Sequence, residues 1–147
     1  MLLRALLDSP ELRLRLLVGE EALDRPVAGV YTTDLLDPRR YLSGGEIVLT
    51  GLMWRRTAED SEVFVATLVA CGAVALAAGD AALGSVPGDL VAACRRHGLP
   101  LFEVPVDVSF AAITEQVLTA RLSSATGPNP AVARLRLLAG GPPGTAR

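Results

Sequence analysis

Hydrophobic positions between residues 47 and 105 alternate between two spacings. Residues 47–49 form a short continuous apolar run, which is typical of a strand covered on both faces. Apolar residues then recur at helical spacing as far as Gly72. The same order of apolar run and helical stretch repeats up to Gly98, and a third apolar run follows. The pattern predicts a βαβαβ core at about 47–105, with parallel strands and right-handed crossovers.

The flanking segments predict further elements of the same domain. Leu12, Leu14 and Leu16 alternate with arginines, which predicts a half-exposed strand, and residues 27–33 predict a second one. Apolar residues at helical spacing over 109–122 predict a last amphipathic helix. The fold class is therefore α/β: a single domain with a parallel or mixed β-sheet, flanking helices and an N-terminal β-rich segment.

The composition changes after residue 122. Residues 1–122 are predicted to form the α/β domain. Residues 123–147 are rich in Gly and Pro, and they are predicted to be a linker and tail. This tail could form a short helix over 131–139 and is otherwise expected to be disordered.

The stretch around Ser43-Gly44-Gly45 raises the question of a ligand-binding loop. Asp37 before Pro38 predicts one helical turn, which the glycines would end before the next strand begins. The glycines would lie at the amino end of that strand, away from the edge where parallel sheets bind ligands. Asp34, Asp37 and Glu46 could together bind a cation, but the capping role explains Asp37 better, and no metal is predicted.

Composition excludes several kinds of chemistry. The chain has 147 residues, a net charge of −2 and no lysine, so a Walker loop and a catalytic lysine are absent. His97 is its one histidine, which excludes histidine-cluster metal sites, and no GxSxG motif accompanies it. We therefore expect no enzymatic activity and no cofactor. The charge provides no broad basic surface for nucleic acid.

Cysteine usage and hydropathy bear on the cellular compartment. Cys71 and Cys94 lie in apolar segments without metal-ligand spacing, so we expect free thiols in a reducing cytoplasm. The uncharged stretch 63–79 is close to the lower limit for a membrane span. Its glycine and polar positions favour a helix followed by a buried strand, and no membrane contact is predicted.

Candidate ligand-binding residues follow from the predicted topology, because the carboxyl ends of parallel strands share one edge of a sheet. Thr50, Gly51, Asp80 and Glu103 each come at a predicted strand end, and Trp54 follows closely. These residues could converge on a ligand. The alternative is structural: Asp80 in a turn, Glu103 solvated or in a salt bridge, and Trp54 covering the core.

Arg25 is a further candidate, as the partner of an anionic group. A surface ion pair with Asp24 or Glu21 explains it equally well.

Two long motifs resemble a known family. The sequence resembles the N-terminal domain of PucR-type bacterial transcription factors, the purine catabolism regulators, over roughly residues 1–122. The matching pieces are Gly19, 23–27, 37–38, 41–46, 49–51, 98–101, 103–105 and 110–115. One departure is at 49–54, where the family often has a second Thr before the Gly.

The resemblance implies a cytoplasmic sensory module. Such a module would bind a small metabolite, either a purine-catabolism intermediate or an amino-acid-derived compound, and signal to an effector. The helix-turn-helix that usually follows in this family does not occur in these 147 residues, so we expect no direct DNA contact from this chain. The alternative is a protein-interaction or dimerisation module without a small ligand. In either case the partner set is expected to include a second copy, as a homo-oligomer.

Overall fold

Five strands form one mixed sheet in the computed structural model, which describes residues 1–79 and 84–125, except for the side chains of 123–125. The strands run in the order β1-β5-β4-β3-β2, and only β1 is antiparallel to its neighbour. Their bounds are β1 Arg15–Val18, β2 Gly29–Thr32, β3 Glu46–Thr50, β4 Ala75–Gly79 and β5 Leu101–Val104. The α/β prediction is confirmed.

In the part of the chain that the structure describes, four α-helices cover the two faces of the sheet. Their bounds are α1 Leu3–Asp8, α2 Ala58–Ala70, α3 Gly88–His97 and α4 Phe110–Ala125, and two short 3₁₀ helices span Glu20–Ala22 and Arg39–Tyr41. One core cluster packs α1 and α4 against one face, and a second packs α2 and α3 against the other. The order β3-α2-β4-α3-β5 is the predicted βαβαβ core. No helix in the described ranges is long and apolar enough to cross a bilayer.

Local signals explain how α2 and α3 begin and end. Thr57 and Asp60 form the capping box predicted at the start of α2, and the donors there lower the pKa of the Asp60 carboxyl. Gly98 adopts a left-handed conformation (φ 69°) and ends α3. The side chains of Arg96 and His97 both contact Glu62, which joins the end of α3 to α2.

Three boundaries differ from the sequence-based prediction. The first strand begins at Arg15, because Arg13 has a positive φ of 48° that interrupts the extended run containing Leu12 and Leu14. Pro38 precedes the 3₁₀ turn instead of opening it, while Asp37 accepts the Arg39 N–H as a cap.

At the other end of the chain, α4 continues to Ala125, into the segment predicted as linker. The tail beyond it, including the predicted helix at 131–139, lies outside the described residues.

Candidate functional site

The carboxyl ends of β2 to β5 lie along one edge of the sheet, the strand-end edge. Thr50 pairs in register with Ala78, and Ala78 pairs with Glu103, so these three residues form one row across β3, β4 and β5. All three are on the face that packs against α2 and α3. Thr50 and Glu103 are therefore about 10 Å apart, with a small residue between them. The sheet brings these two predicted site residues to one edge and one face.

Thr50 is the centre of a hydrogen-bond network that also includes Trp54. Its hydroxyl donates to Asp34 Oδ1 (3.0 Å) and accepts from Trp54 Nε1 (3.0 Å) and from the Leu52 N–H (3.2 Å). Thr50 is fully buried, and Trp54 is stacked on Phe64 with ring centroids 4.3 Å apart. The hydroxyl and the indole are thus bound to protein groups, as the structural alternative predicts.

Asp34 orders the loop that follows β3. Its Oδ1 atom also accepts the backbone N–H groups of Gly51 (2.9 Å) and Met53 (3.3 Å). Leu52, between them, has a positive φ of 66°, a conformation that costs a non-glycine residue free energy. Asp34 itself is exposed, and among the described residues no donor reaches its Oδ2 atom. It therefore holds a strained loop while it presents a carboxylate oxygen at the edge.

Sequence reasoning missed this role of Asp34. Asp34 is the second residue after the end of β2, so the argument that selected Glu103 applies to it equally. The signal was the position of Asp34 in the loop after a parallel strand. The spacing of Asp34 and Asp37 in the sequence suggests cation binding instead.

A second polar cluster braces the same edge. Arg55 donates to both oxygens of Asp89 (3.0 and 2.6 Å), and the buried Ser61 hydroxyl donates to Asp89 Oδ2 (2.5 Å). The Arg55 hydrogen bonds hold the pKa of the Asp89 carboxyl below its ordinary value, with a smaller contribution from Ser61. The cluster links the loop after β3 to the first turn of α3.

Glu103 is the least satisfied polar group of the row. Its side chain is only 15 % exposed, and the Arg15 Nε atom is 3.6 Å from its Oε1 atom. The two side chains form an ion pair, as the structural alternative predicts for Glu103. The pair is weak, because the separation is too long for a hydrogen bond and Arg15 is 75 % exposed. Among the described residues no group donates a hydrogen bond to this carboxylate. A largely buried carboxylate of this kind is suited to accept N–H groups from a ligand.

Arg25, a further predicted ligand residue, does not join this row. Arg25 lies just before β2, at the opposite edge of the sheet, where its backbone carbonyl accepts the Leu3 N–H. Its predicted partner Asp24 pairs with Arg4 instead. Asp80 lies outside the described residues.

The Ser43-Gly44-Gly45 turn is occupied by the protein's own carboxylate. Glu46 accepts the N–H groups of Ser43 and Gly44 (both 2.8 Å) and the Ser43 hydroxyl (3.1 Å). Burial opposes ionisation of Glu46, but these donors outweigh it and leave the pKa of the carboxyl below its ordinary value. Gly45 has a φ of 83°, and a Cβ atom there would lie 2.7 Å from the Ala28 side chain. The turn is therefore a folding device, as predicted.

The three carboxylates considered for a cation do not converge. Asp34 is bound to the loop after β3, Asp37 to Arg39, and Glu46 to its own turn. No group of three potential metal ligands occurs among the residues that the structure describes.

Comparison with known proteins adds the family. Residues 5–120 match the purine catabolism regulatory protein-like family, PucR. The chain belongs to the PucR family. The matched segment includes all five strands of the sheet and most of α4, so the strand-end edge is part of the family's domain. No curated protein sequence matches the chain.

A solved structure shares the fold of this PucR-family domain. It is the regulatory region of Clostridium perfringens pyrophosphatase, containing CBS and DRTGG domains, complexed with the activator diadenosine tetraphosphate. The TM-score is 0.53 at 15 % sequence identity, and the match covers 76 % of this chain. The chain corresponds to 44 % of the length of that protein chain. At this identity the likeness concerns the fold alone.

Proposed function

We propose that this PucR-family chain is a sensory domain that binds a small metabolite at the strand-end edge and signals its presence to an effector. The observation that carries the proposal is Glu103: a largely buried carboxylate, without a hydrogen-bond donor among the described residues, at the edge where open parallel sheets bind ligands. Burial of such a group is costly unless a partner satisfies it. A ligand would supply that partner.

The chemistry of the edge indicates the class of ligand. A carboxylate accepts hydrogen bonds only, and Asp34 presents a second carboxylate oxygen farther along the same edge, beside Thr50. The ligand should therefore carry several N–H donors or a positive charge. Nucleobases and ureides from purine catabolism have such donors, and so do amino-acid-derived amines.

The fold neighbour supports a regulatory role at a coarser level. The pyrophosphatase region is regulatory, and it was solved with a small nucleotide activator. From that comparison we carry over one point only: this kind of fold is used in a regulatory region. The polyphosphate of that activator would be repelled by the two acidic groups proposed as ligands here.

A non-catalytic role is part of the proposal. His97 ends α3 at the opposite edge of the sheet and pairs with Glu62. The Ser61 hydroxyl on α2 donates to Asp89 on α3. Neither is available as a nucleophile–base pair at the strand-end edge. We further propose a cytoplasmic location, since Cys71 and Cys94 are free thiols, and no direct DNA contact, since the net charge is −2.

Binding measurements on the whole chain test the proposal. Nucleobases, ureides and amino acids would be screened by thermal shift, and hits would be titrated by calorimetry. Glu103→Gln should weaken a hit at least about tenfold, because it removes the charged acceptor. Glu59→Gln, an exposed carboxylate on α2, is the matched control and should leave the affinity unchanged. Equal affinities for both variants, or no hit in the screen, would refute the site.

A second candidate function is self-association. Leu118 on α4 is 46 % exposed and Leu122 is 49 % exposed, so α4 carries two exposed large apolar side chains one turn apart. Sedimentation of the whole chain over a concentration series tests this candidate. A single monomeric species up to about 100 μM would count against it.

A further inference from the structure

The strand β2 forms one end of the sheet. It pairs with β3 on one side, and in a parallel pair only alternate residues bond to a given neighbour. Its remaining N–H and C=O groups point outward, away from β3. Edge strands of this kind pair readily with another strand unless charges, proline or a bulge prevent it. The four residues Gly29–Thr32 contain none of these features themselves. The segment just before them is already covered, because the Val27 N–H donates to the Met1 carbonyl, so the open edge is confined to β2 itself.

The helix α4 lines the same side of the molecule. It begins near the carboxyl end of β2 and runs back along it, so that Arg121 lies over Gly29. A shallow groove of about 570 Å³ lies between β2 and α4. We call this region the β2–α4 surface, and its apolar members include Phe110, Ala111, Leu118 and Leu122, with Thr32 at the strand.

Two charges on α4 are placed symmetrically about Leu118. Glu115 precedes it by three residues and Arg121 follows it by three, and both are exposed. Residues six apart on a helix do not face one another, so these two cannot pair within the same α4. Among the described residues neither forms an ion pair or a side-chain hydrogen bond.

We infer that a second copy of this chain docks on the β2–α4 surface through a two-fold axis. The two β2 strands pair antiparallel and extend the sheet, and the two α4 helices pack antiparallel beside them with Leu118 against Leu118. In a two-fold antiparallel pair a residue lies opposite its own copy, so Val30 opposite Val30 centres the ladder on β2. Thr32 at the end of β2 lines the same groove as Leu118, and Arg121 lies beside Gly29 at its start. One axis can therefore pass through both contacts. This inference rests on the proposed self-association and specifies its surface.

The charges favour a second copy over another protein as the occupant. Reversal of α4 about Leu118 brings Glu115 of one copy to the level of Arg121 of the other, twice per dimer. An edge strand is likewise complementary to its own antiparallel copy. Because of these two features, the β2–α4 surface of one copy is complementary to the same surface of another. An unrelated partner would need its own complementary charges opposite both Glu115 and Arg121.

Sedimentation of paired variants tests the surface. Leu118→Asp should raise the dimer dissociation constant at least about tenfold, since it places two carboxylates at the centre of the contact. Val63→Asp is the matched control, because Val63 is 48 % exposed on α2, on the other face of the sheet. Glu115→Arg and Arg121→Glu should each weaken the dimer, and the double variant should restore it.

The outcomes separate the surface from self-association itself. If Val63→Asp dissociates the dimer and Leu118→Asp leaves it intact, the β2–α4 surface is overturned, although self-association still holds. A wild-type monomer would overturn both. If the 147-residue chain is monomeric and dimerises only when residues 126–147 are removed, the tail is the occupant, and a second copy in that role is overturned. Metabolite binding by a monomer would still support the sensory function.

A cross-link provides positive evidence for the symmetry. Leu118→Cys, in a chain that also carries Cys71→Ser, should form a disulfide between two copies under mild oxidation. Val63→Cys in the same background should not. Cys94 does not interfere, because it is fully buried. Absence of the Leu118→Cys cross-link in a chain that sediments as a dimer would overturn the proposed axis.

Discussion

Replacement of Thr50 by Val tests the network at the end of β3. The change keeps the shape of a fully buried side chain but removes its hydroxyl. Two buried donors, the Trp54 indole N–H and the Leu52 N–H, then lose their acceptor, while Asp34 loses one of three donors. An unsatisfied buried donor costs about 1–3 kcal/mol, so we expect a loss of about 2–4 kcal/mol. That is a large part of the ~5–15 kcal/mol of a typical domain.

Urea unfolding followed by far-ultraviolet circular dichroism measures this loss. With a slope of about 2 kcal/mol per molar urea, the midpoint should fall by roughly 1–2 M. Trp54 is the single tryptophan, so its native fluorescence should also change as its indole N–H loses the Thr50 acceptor. Thr67→Val is the matched control: the Thr67 hydroxyl bonds to the Val63 carbonyl within α2, and its removal should cost under about 0.5 kcal/mol. Equal midpoints for the two variants would refute the structural role of the Thr50 network.

Three further predictions follow. Gly45→Ala should lower the free energy of unfolding in urea by at least about 2 kcal/mol, because Gly45 has a φ of 83° and the new Cβ would lie 2.7 Å from a side chain. Gly88→Ala, with open space around it, is the control and should cause no measurable loss. The paired arginine lowers the pKa of Asp89 in the folded chain. The stability that Asp89 contributes is therefore complete above its unfolded pKa of about 3.9 and is lost as the pH falls through the folded value. Asp89→Asn should flatten this loss in the free energy of unfolding at acid pH, and an unchanged profile of stability against pH would contradict the pairing. Burial raises the pKa of the Cys94 thiol to about 12, so a thiol reagent at pH 8 should label only the half-buried Cys71 in the native chain, and two labels per native chain would contradict that burial.

Much of the fold was predictable because its signals are local. Continuous apolar runs, helical spacing and glycine stops identified β3, α2, β4, α3 and β5 in order, and the Thr57–Asp60 box marked the start of α2. Parallel topology then followed from the alternation, and with it the edge where strand ends meet. The boundary at β1 was wrong because the positive φ of Arg13 leaves no trace in a hydrophobic pattern.

The sequence by itself thus determined that Thr50 and Glu103 reach one face of the strand-end edge, because chain order and side-chain period decide strand direction and face. Only the tertiary structure decided which of them are already bound. The Thr50 hydroxyl donates to Asp34, sixteen residues away, and the amides of the Ser43-Gly44 turn donate to Glu46. Among the described residues Glu103 has an ion pair with Arg15 at 3.6 Å and accepts no hydrogen bond. Hydrogen-bond partners depend on distances between chain segments, and those distances exist only once the sheet has formed.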